Sequence, residues 1–262
     1  MSEVAPALRV QDLCLSFAGV KTLQSVSFDV PTGALASLIG PNGAGKTSLV
    51  NCLTGYYRPD SGRIEALGRN LTGLRPDRVA RAGIVRTYQN VGLFGGLSVA
   101  DNLLAGRHLR MRSGLLAGGL SLPWCTREEL AEREVVEDLL ALLEIGHLRT
   151  VPAGRLPYGL QKRVELGRAL AMEPALLLLD EPMAGMNLGE KRDMVRLIRG
   201  ARDRGVTVLL IEHDMSVVMG VSDVVAVLDF GHLIAYGPPD QVSHDPAVVA
   251  AYLGVDDAEP VR

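Results

Sequence analysis

The 262-residue chain has little cysteine, little lysine, few aromatic rings and no long apolar run. Its 3 cysteines, Cys14, Cys52 and Cys125, are too few and odd in number for a disulfide framework. They also lack metal-ligand spacing and read as small buried hydrophobes. Aromatic residues make up 4% of the chain against 47% hydrophobic residues, so aliphatic side chains must build the core. The richest apolar stretches, Ala175 to Leu179 and Val206 to Ile211, fall far short of the ~20 residues that a bilayer-spanning helix needs. The first residues alternate polar and apolar and carry Glu3, Asp12 and Asp29, which is not the pattern of a signal peptide, and a cytoplasmic chain is expected. Net charge is −3 and the sequence pI about 6.0, so the basic footprint of a nucleic-acid binder is missing and no nucleic-acid partner is expected. Only four of the 27 basic residues are lysine: Lys21, Lys46, Lys162 and Lys191.

What is present is a regular alternation of strands and helices. Leu8 to Phe17 and Leu23 to Val30 read as strands, the second with the two-residue period Val26, Phe28, Val30. Ala34 to Ile39 is an apolar run entering a glycine-rich loop, and Lys46 to Gly55 suits a helix. Arg63 to Leu67 is β-like, Pro76 to Ala82 a short helix, Ile84 to Tyr88 a strand, and 98 to 105 a helix. Gly106 to Thr126 reads as irregular and basic, and 127 to 145 as an acidic amphipathic helix with Val135, Val136, Leu139, Leu140 and Leu143 on its apolar side. From Gly159 the order is helix (to Met172), strand (Leu176 to Asp180), helix (Leu188 to Arg204), strand (Val206 to Glu212), helix (Met215 to Val221) and strand (Val224 to Leu228). A hairpin at Asp229 to Gly231 and a helix from Pro246 to Leu253 follow. Helices between continuous apolar strands predict an α/β fold with a parallel sheet covered on both faces.

Gly40-Pro41-Asn42-Gly43-Ala44-Gly45-Lys46-Thr47, followed by Ser48, matches the P-loop pattern G-x-x-x-x-G-K-S/T between a strand and a helix. Glycines let successive backbone N–H groups turn toward one anion, and the helix start adds its positive end. Lys46 would neutralise the β- and γ-phosphate oxygens of ATP, and Thr47 would offer a hydroxyl to Mg²⁺. In Leu176-Leu177-Leu178-Leu179-Asp180-Glu181-Pro182 an acidic pair ends a buried strand, where a doubly wound sheet holds its ligand. Asp180 can hold Mg²⁺ through water and Glu181 can act as general base, or the pair simply caps the next helix. His213 ends another apolar strand and either reaches a γ-phosphate or stays solvated. Gln89, at the end of the strand from Ile84, can orient water or complete Mg²⁺ coordination. Phe17 either stacks on an adenine or packs into the N-terminal sheet.

The order P-loop, Gln89, Leu156-Pro157-Tyr158-Gly159-Leu160, LLLLDEP and His213 resembles the ATP-binding-cassette (ABC) ATPases, from Val10 to Gly254. The resemblance implies a P-loop NTPase core with an N-terminal antiparallel β-subdomain and a helical insertion. One domain over 5–254 is expected, with its nucleotide core in 5–88 and 159–254, the helical part at about 89–158, and 255–262 as a tail. It also implies roles: Lys46 and Thr47 as Walker A residues, Asp180 as the Walker B acid, Glu181 as catalytic glutamate, Gln89 as Q-loop glutamine, His213 as switch histidine and Phe17 as the adenine-stacking aromatic. Two cassettes would trap two ATP molecules, each between one P-loop and the other chain's signature loop, with Ala184-Gly185-Met186-Asn187 as the D-loop. Closing and hydrolysis would then move attached membrane helices.

The signature departs from L-S-G-G-Q, since Pro157 replaces the serine and Tyr158 and Leu160 replace glycine and glutamine. Gly159 and the helix start remain, so backbone N–H groups can still face a phosphate. Within the family the chain resembles the larger ATPase subunit of branched-chain amino acid importers, through Gly83-Ile84-Val85-Arg86-Thr87-Tyr88-Gln89, the 106–126 insertion, Tyr158-Gly159, Glu181-Pro182-Met183-Ala184-Gly185-Met186-Asn187, Ile211-Glu212-His213-Asp214-Met215 and Ala251-Tyr252-Leu253-Gly254. The lipopolysaccharide-export ATPase is a further relative, with a standard signature and no long insertion. The importer resemblance implies membrane permease subunits, a second ATPase subunit that is a paralogue or a second copy, and an extracytoplasmic solute-binding protein as partners. The chain would sit peripherally on the inner face of the cell membrane. Arg107, Arg110 and Arg112, with Leu115, Leu116, Leu120 and Trp124, read either as a contact with that membrane surface or a permease helix, or as a solvated basic loop.

Overall fold

The computed structural model describes residues 5–87, 92–109 and 123–253. They fall into two compact units, one of 1–86, 175–181 and 202–262, the other of 87–174 and 182–201.

The first unit carries two sheets. Strands β1 (Leu8–Phe17), β2 (Val20–Val30), β4 (Ser61–Ala66) and β5 (Arg69–Asn70) form an antiparallel sheet in the order β2-β1-β4-β5. The alternation read from Val26, Phe28 and Val30 is real, because all three are buried. The second sheet has the order β10-β9-β3-β8-β7-β6, from β3 (Leu35–Ile39), β6 (Ile84–Arg86), β7 (Leu176–Asp180), β8 (Thr207–Ile211), β9 (Val224–Asp229) and β10 (His232–Gly237). Its pairings are parallel except for the β9–β10 hairpin. Strands β3 and β8 are buried at every position, as expected where helices cover both faces. Bonds between the sheets include Gln24 N–H to the Gly231 carbonyl at 2.8 Å, Gln24 Nε2 to the Phe230 carbonyl at 3.2 Å and Tyr236 O–H to the Asp29 carbonyl at 2.7 Å. Helices α1 (Lys46–Leu53), α2 (Pro76–Arg81), α7 (Met215–Val221), α8 (Pro239–Ser243) and α9 (Pro246–Leu253) belong to this unit.

The second unit is helical, with α3 (Val99–Gly106), α4 (Pro123–Leu142), α5 (Tyr158–Ala171) and most of α6 (Leu188–Asp203). Val136, Leu139, Leu140 and Leu143 are buried, as the amphipathic pattern predicted. A Cβ on Gly167 would meet Leu143 at 2.4 Å and Leu103 at 3.3 Å, so the glycine allows α3 and the end of α4 to lie close to α5.

Several expectations are corrected. Helix α4 begins at Pro123 rather than 127, since proline suits the first helical position, where its missing N–H costs nothing. The strand from Ile84 ends at Arg86, short of Tyr88, and the 239–243 helix and the β5 strand were not read from the sequence. Cys52 is buried, but Cys14 is only half-buried; its thiol lies 3.7 Å from the Ser25 hydroxyl and accepts the Ser25 N–H at 3.3 Å. Arg107 is not a surface residue. It is buried in an ion pair with Glu132, and it donates to Glu173 at 2.7 Å and to the Ala171 carbonyl at 2.8 Å. A guanidinium with three internal acceptors cannot serve a membrane surface, and Arg107 instead joins α4 to the end of α5. Arg110, Arg112, Leu115, Leu116 and Leu120 lie outside the described residues, as do Gln89, Tyr88 and the 255–262 tail, and so does the side chain of Trp124.

Candidate nucleotide site

The glycine loop leaves β3 at Gly40 and enters α1 at Gly45. At Gly40 φ is +149° and a Cβ would fall 2.1 Å from the Leu228 carbonyl oxygen, so a side chain there would push the loop off β9. At Gly45, the α1 N-cap, φ is +102° and a Cβ would fall 2.7 Å from the Thr22 carbonyl oxygen. No side chain caps α1, so its first-turn N–H groups have no intrahelical partner and suit an anion. Lys46 folds over this loop, its ammonium donating to the Gly40 carbonyl at 2.6 Å and the Pro41 carbonyl at 2.9 Å. Burial pushes the Lys46 ammonium below its usual pKa, while the nearby carboxylates of Glu181 and Asp180 pull the other way. Thr47, Asn42 and Gly43 are exposed and Pro41 and Ser48 half-buried, whereas Ala44 is buried beneath the loop.

Asp180 and Glu181 follow β7 at the same edge. The next helix, α6, opens on its own capping box: the Asn187 side chain accepts the Glu190 N–H at 3.0 Å and Glu190 accepts the Asn187 N–H at 2.9 Å. Asp180 is paired with Arg86 at 2.6 Å, and Arg86 also donates to Asn51 on α1 at 2.7 Å. Glu181 adopts φ +46°, a left-handed conformation that costs a non-glycine residue of order 1–3 kcal/mol and that functional sites retain. Its N–H is anchored on the Ile211 carbonyl at 2.9 Å. His213 follows β8, with Nδ1 3.9 Å from both Glu181 Oε1 and Glu212 Oε2. Its ring is exposed while Glu212 is buried. Phe17 is 44% exposed and meets Tyr57 edge-on at 5.0 Å between centroids, so it is not packed away inside the sheet.

In the second unit Pro157 precedes α5 with no side-chain cap, and Tyr158 is exposed. A Cβ on Gly185 would lie 3.3 Å from the Tyr158 ring, and one on Gly159 would lie 2.5 Å from the Glu190 carboxylate. The signature-like loop thus lies close to the D-loop-like segment at Gly185 and to the first turn of α6 at Glu190.

The first unit therefore brings Lys46, Asp180, Glu181 and His213 to one sheet edge, while Gln89 lies outside the described residues. Tyr57, Arg86 and Asn51 were not read from the sequence. Only Arg86 left a signal, as a charge ending a buried strand. Among the described residues no group of three His, Cys, Asp or Glu could hold a metal. The Thr47 hydroxyl and the Asp180 carboxylate are hard oxygen donors, few in number, which fits Mg²⁺, an ion bound through one or two protein groups with water and substrate phosphates.

No helix among the described residues is long and apolar enough to cross a membrane. Residues 23–184 match the ABC transporter family, and residues 232–258 match the branched-chain amino acid ATP-binding cassette transporter family. The chain is 41% identical over 250 residues to the high-affinity branched-chain amino acid transport ATP-binding protein BraF of Pseudomonas aeruginosa, covering 95% of this chain and 98% of that one. It is 42% identical over 253 residues to LivG of Salmonella typhimurium, a protein of the same description, with the same coverage. A solved ATP-binding cassette of an ABC transporter in its ADP conformation superposes with a TM-score of 0.83 at 33% identity, over 95% of this chain and 99% of that one. A nucleotide-free cassette superposes at 0.81 and 32% identity, over 94% of this chain and 98% of that one. With a family model spanning more than half its length and relatives above 40% identity along nearly all of it, the chain belongs to the ABC transporter family, as an ATP-binding cassette.

Proposed function

We propose that this cassette binds and hydrolyses ATP to drive import of branched-chain or related amino acids through separate membrane permease subunits. The observation that carries the hydrolytic part is the meeting of Glu181, His213 and Lys46 beside the glycine loop, with Glu181 held at φ +46°. The substrate class rests on the relatives' descriptions and on the match over 232–258.

Substrate phosphates are held by the backbone N–H groups of 42–48 and by Lys46, which exchanges its bonds to Gly40 and Pro41 for phosphate oxygens. Phe17 offers its exposed ring to the adenine. Thr47 and Asp180, with Gln89, would hold Mg²⁺, which would neutralise negative charge on the substrate phosphates. Glu181 accepts a proton from the attacking water as general base, and His213 donates to the γ-phosphate side of the site and orients Glu181. Pro157, Tyr158 and Gly159 face the nucleotide of a second cassette, a paralogue or a second copy. Pro157 brings no hydroxyl to that contact, which leaves it to the backbone at the start of α5. A permease pair anchors the cassettes at the inner membrane face, and an extracytoplasmic binding protein selects the solute.

The test is single-turnover hydrolysis of Mg-ATP by the purified chain, with and without co-purified permeases. Product formation, lost in Glu181→Gln with ATP binding intact, supports the reading. ATP binding without product would make the chain an assembly subunit instead. Co-purification with lipopolysaccharide-export components would overturn the substrate class.

A further inference from the structure

Asp180 is the proposed Mg²⁺ ligand, yet its carboxylate already has a cationic partner within the protein. Arg86 closes β6, the strand next to β7, with Arg86 in register with Leu178, two residues before Asp180. Its guanidinium forks: Nη2 donates to Asp180 Oδ2 at 2.6 Å and Nη1 donates to Asn51 Oδ1 at 2.7 Å. The Arg86 side chain is 8% exposed and that of Asp180 14%, so water does little to screen the pair. Asn51 lies four residues after Thr47 on α1, on the same face of that helix. Arg86 therefore ties the helix face that carries Thr47 to the strand end that carries Asp180, spanning the two protein donors assigned to the metal.

A buried carboxylate gains from a fixed opposite charge in direct contact with it. Arg86 supplies it permanently, because a guanidinium stays protonated in proteins. A dication at Asp180 then approaches a carboxylate whose charge is already compensated, and it meets the repulsion of a fixed cation a few ångströms away. Binding of the metal must loosen the Arg86–Asp180 bond or share the carboxylate between its two oxygens.

We propose that Arg86 is a positioning residue of the nucleotide site, the built-in counter-ion of Asp180, which competes with Mg²⁺ for that carboxylate and sets the Mg²⁺ concentration at which nucleotide is held. The inference rests on the reading of Asp180 as an Mg²⁺ ligand given under Proposed function. It concerns binding and not only turnover, since the same pair stands whether or not hydrolysis follows. Asn51 has a supporting part, holding the other arm of the fork so that the guanidinium stays on Asp180.

Binding of a fluorescent ATP analogue to the full chain, titrated with Mg²⁺ at fixed nucleotide and monitored beside thermal unfolding, tests this. Arg86→Gln should lower the half-saturating Mg²⁺ concentration by roughly tenfold, as expected for removing one poorly screened cation. Asn51→Ala, which keeps the charge and removes only the second hold, should lower it less, by about two- to threefold; it also serves if Arg86→Gln does not fold. In an Asp180→Asn background the effect of Arg86→Gln should vanish, because both act through one carboxylate. An unchanged or raised midpoint in folded Arg86→Gln or Asn51→Ala, or a shift that survives Asp180→Asn, overturns the inference. Wild-type binding that ignores Mg²⁺ altogether overturns the metal assignment of Asp180 instead, so the two failures are distinguishable.

Discussion

His213 Nδ1 stands 3.9 Å from Glu181 Oε1, the two residues following the ends of neighbouring parallel strands β8 and β7. The distance is within ion-pair reach and longer than a hydrogen bond, which places the His213 ring beside the carboxylate without a direct bond to it. The Glu181 backbone at this point has φ +46°, with its N–H bonded to the Ile211 carbonyl.

Glu181→Gln tests the proposed base with almost no change of shape. ATP turnover is expected to fall by about 10²- to 10⁴-fold with nucleotide affinity retained, measured by phosphate release and by equilibrium binding. Turnover within a few-fold of wild type would remove Glu181 from the chemistry.

His213→Ala removes a ring whose side chain is 61% exposed, so stability should change by no more than about 0.5 kcal/mol. Turnover should nevertheless drop at least ~10-fold, because the group that steers Glu181 is lost. Chemical denaturation and a turnover assay on the same preparation separate the two effects.

Two glycines of one loop should respond differently to alanine. At Gly43, φ is +81° and a Cβ meets nothing within 4 Å, so only the backbone cost of about 1–2 kcal/mol applies. At Gly40 a Cβ would strike the Leu228 carbonyl at 2.1 Å, and Gly40→Ala should be markedly less stable than Gly43→Ala in urea unfolding.

Arg107→Met leaves Glu132 buried with its main counter-ion gone, at a cost of about 3–5 kcal/mol, and adding Glu132→Gln should recover part of it. Binding to anionic vesicles should not change, because Arg107 faces the protein interior. Loss of vesicle binding with unaltered stability would restore a membrane role to this residue.

Thiol labelling should separate two cysteines that look alike in sequence. Burial pushes the Cys52 thiol up to about 12, so it stays protonated and unreactive in the folded chain. Bonds from Ser61 and Ser25 lower the Cys14 thiol, so Cys14 should be alkylated first between pH 7 and 9, read by peptide mass spectrometry.

Much of the site was legible because its chemistry is local in sequence. The glycine spacing of 40–45 maps directly onto a loop whose amides and helix start belong to consecutive residues, and Lys46 and Thr47 follow by position alone. The acidic pair was legible as charges ending an apolar run, and His213 likewise. Arg107 was misread because charge in a glycine-rich stretch says nothing of burial: its partners Glu132 and Glu173 lie 25 and 66 residues away. Cys14 was misread for the same reason, since its polar neighbours Ser25 and Ser61 come from the adjoining strands β2 and β4.

The sequence by itself determined which groups can meet a phosphate, the alternation of strands and helices, and the aliphatic core, all of which depend on residue type and short-range periodicity. Only the tertiary structure decided that Asp180 is already paired. Arg86 and Asp180 are 94 residues apart and meet because β6 and β7 are neighbours in the sheet, a fact of strand order that no local pattern carries. It also decided that Glu181 takes a left-handed backbone with its N–H bonded to Ile211 on the next strand, a conformation that glutamate does not favour by itself.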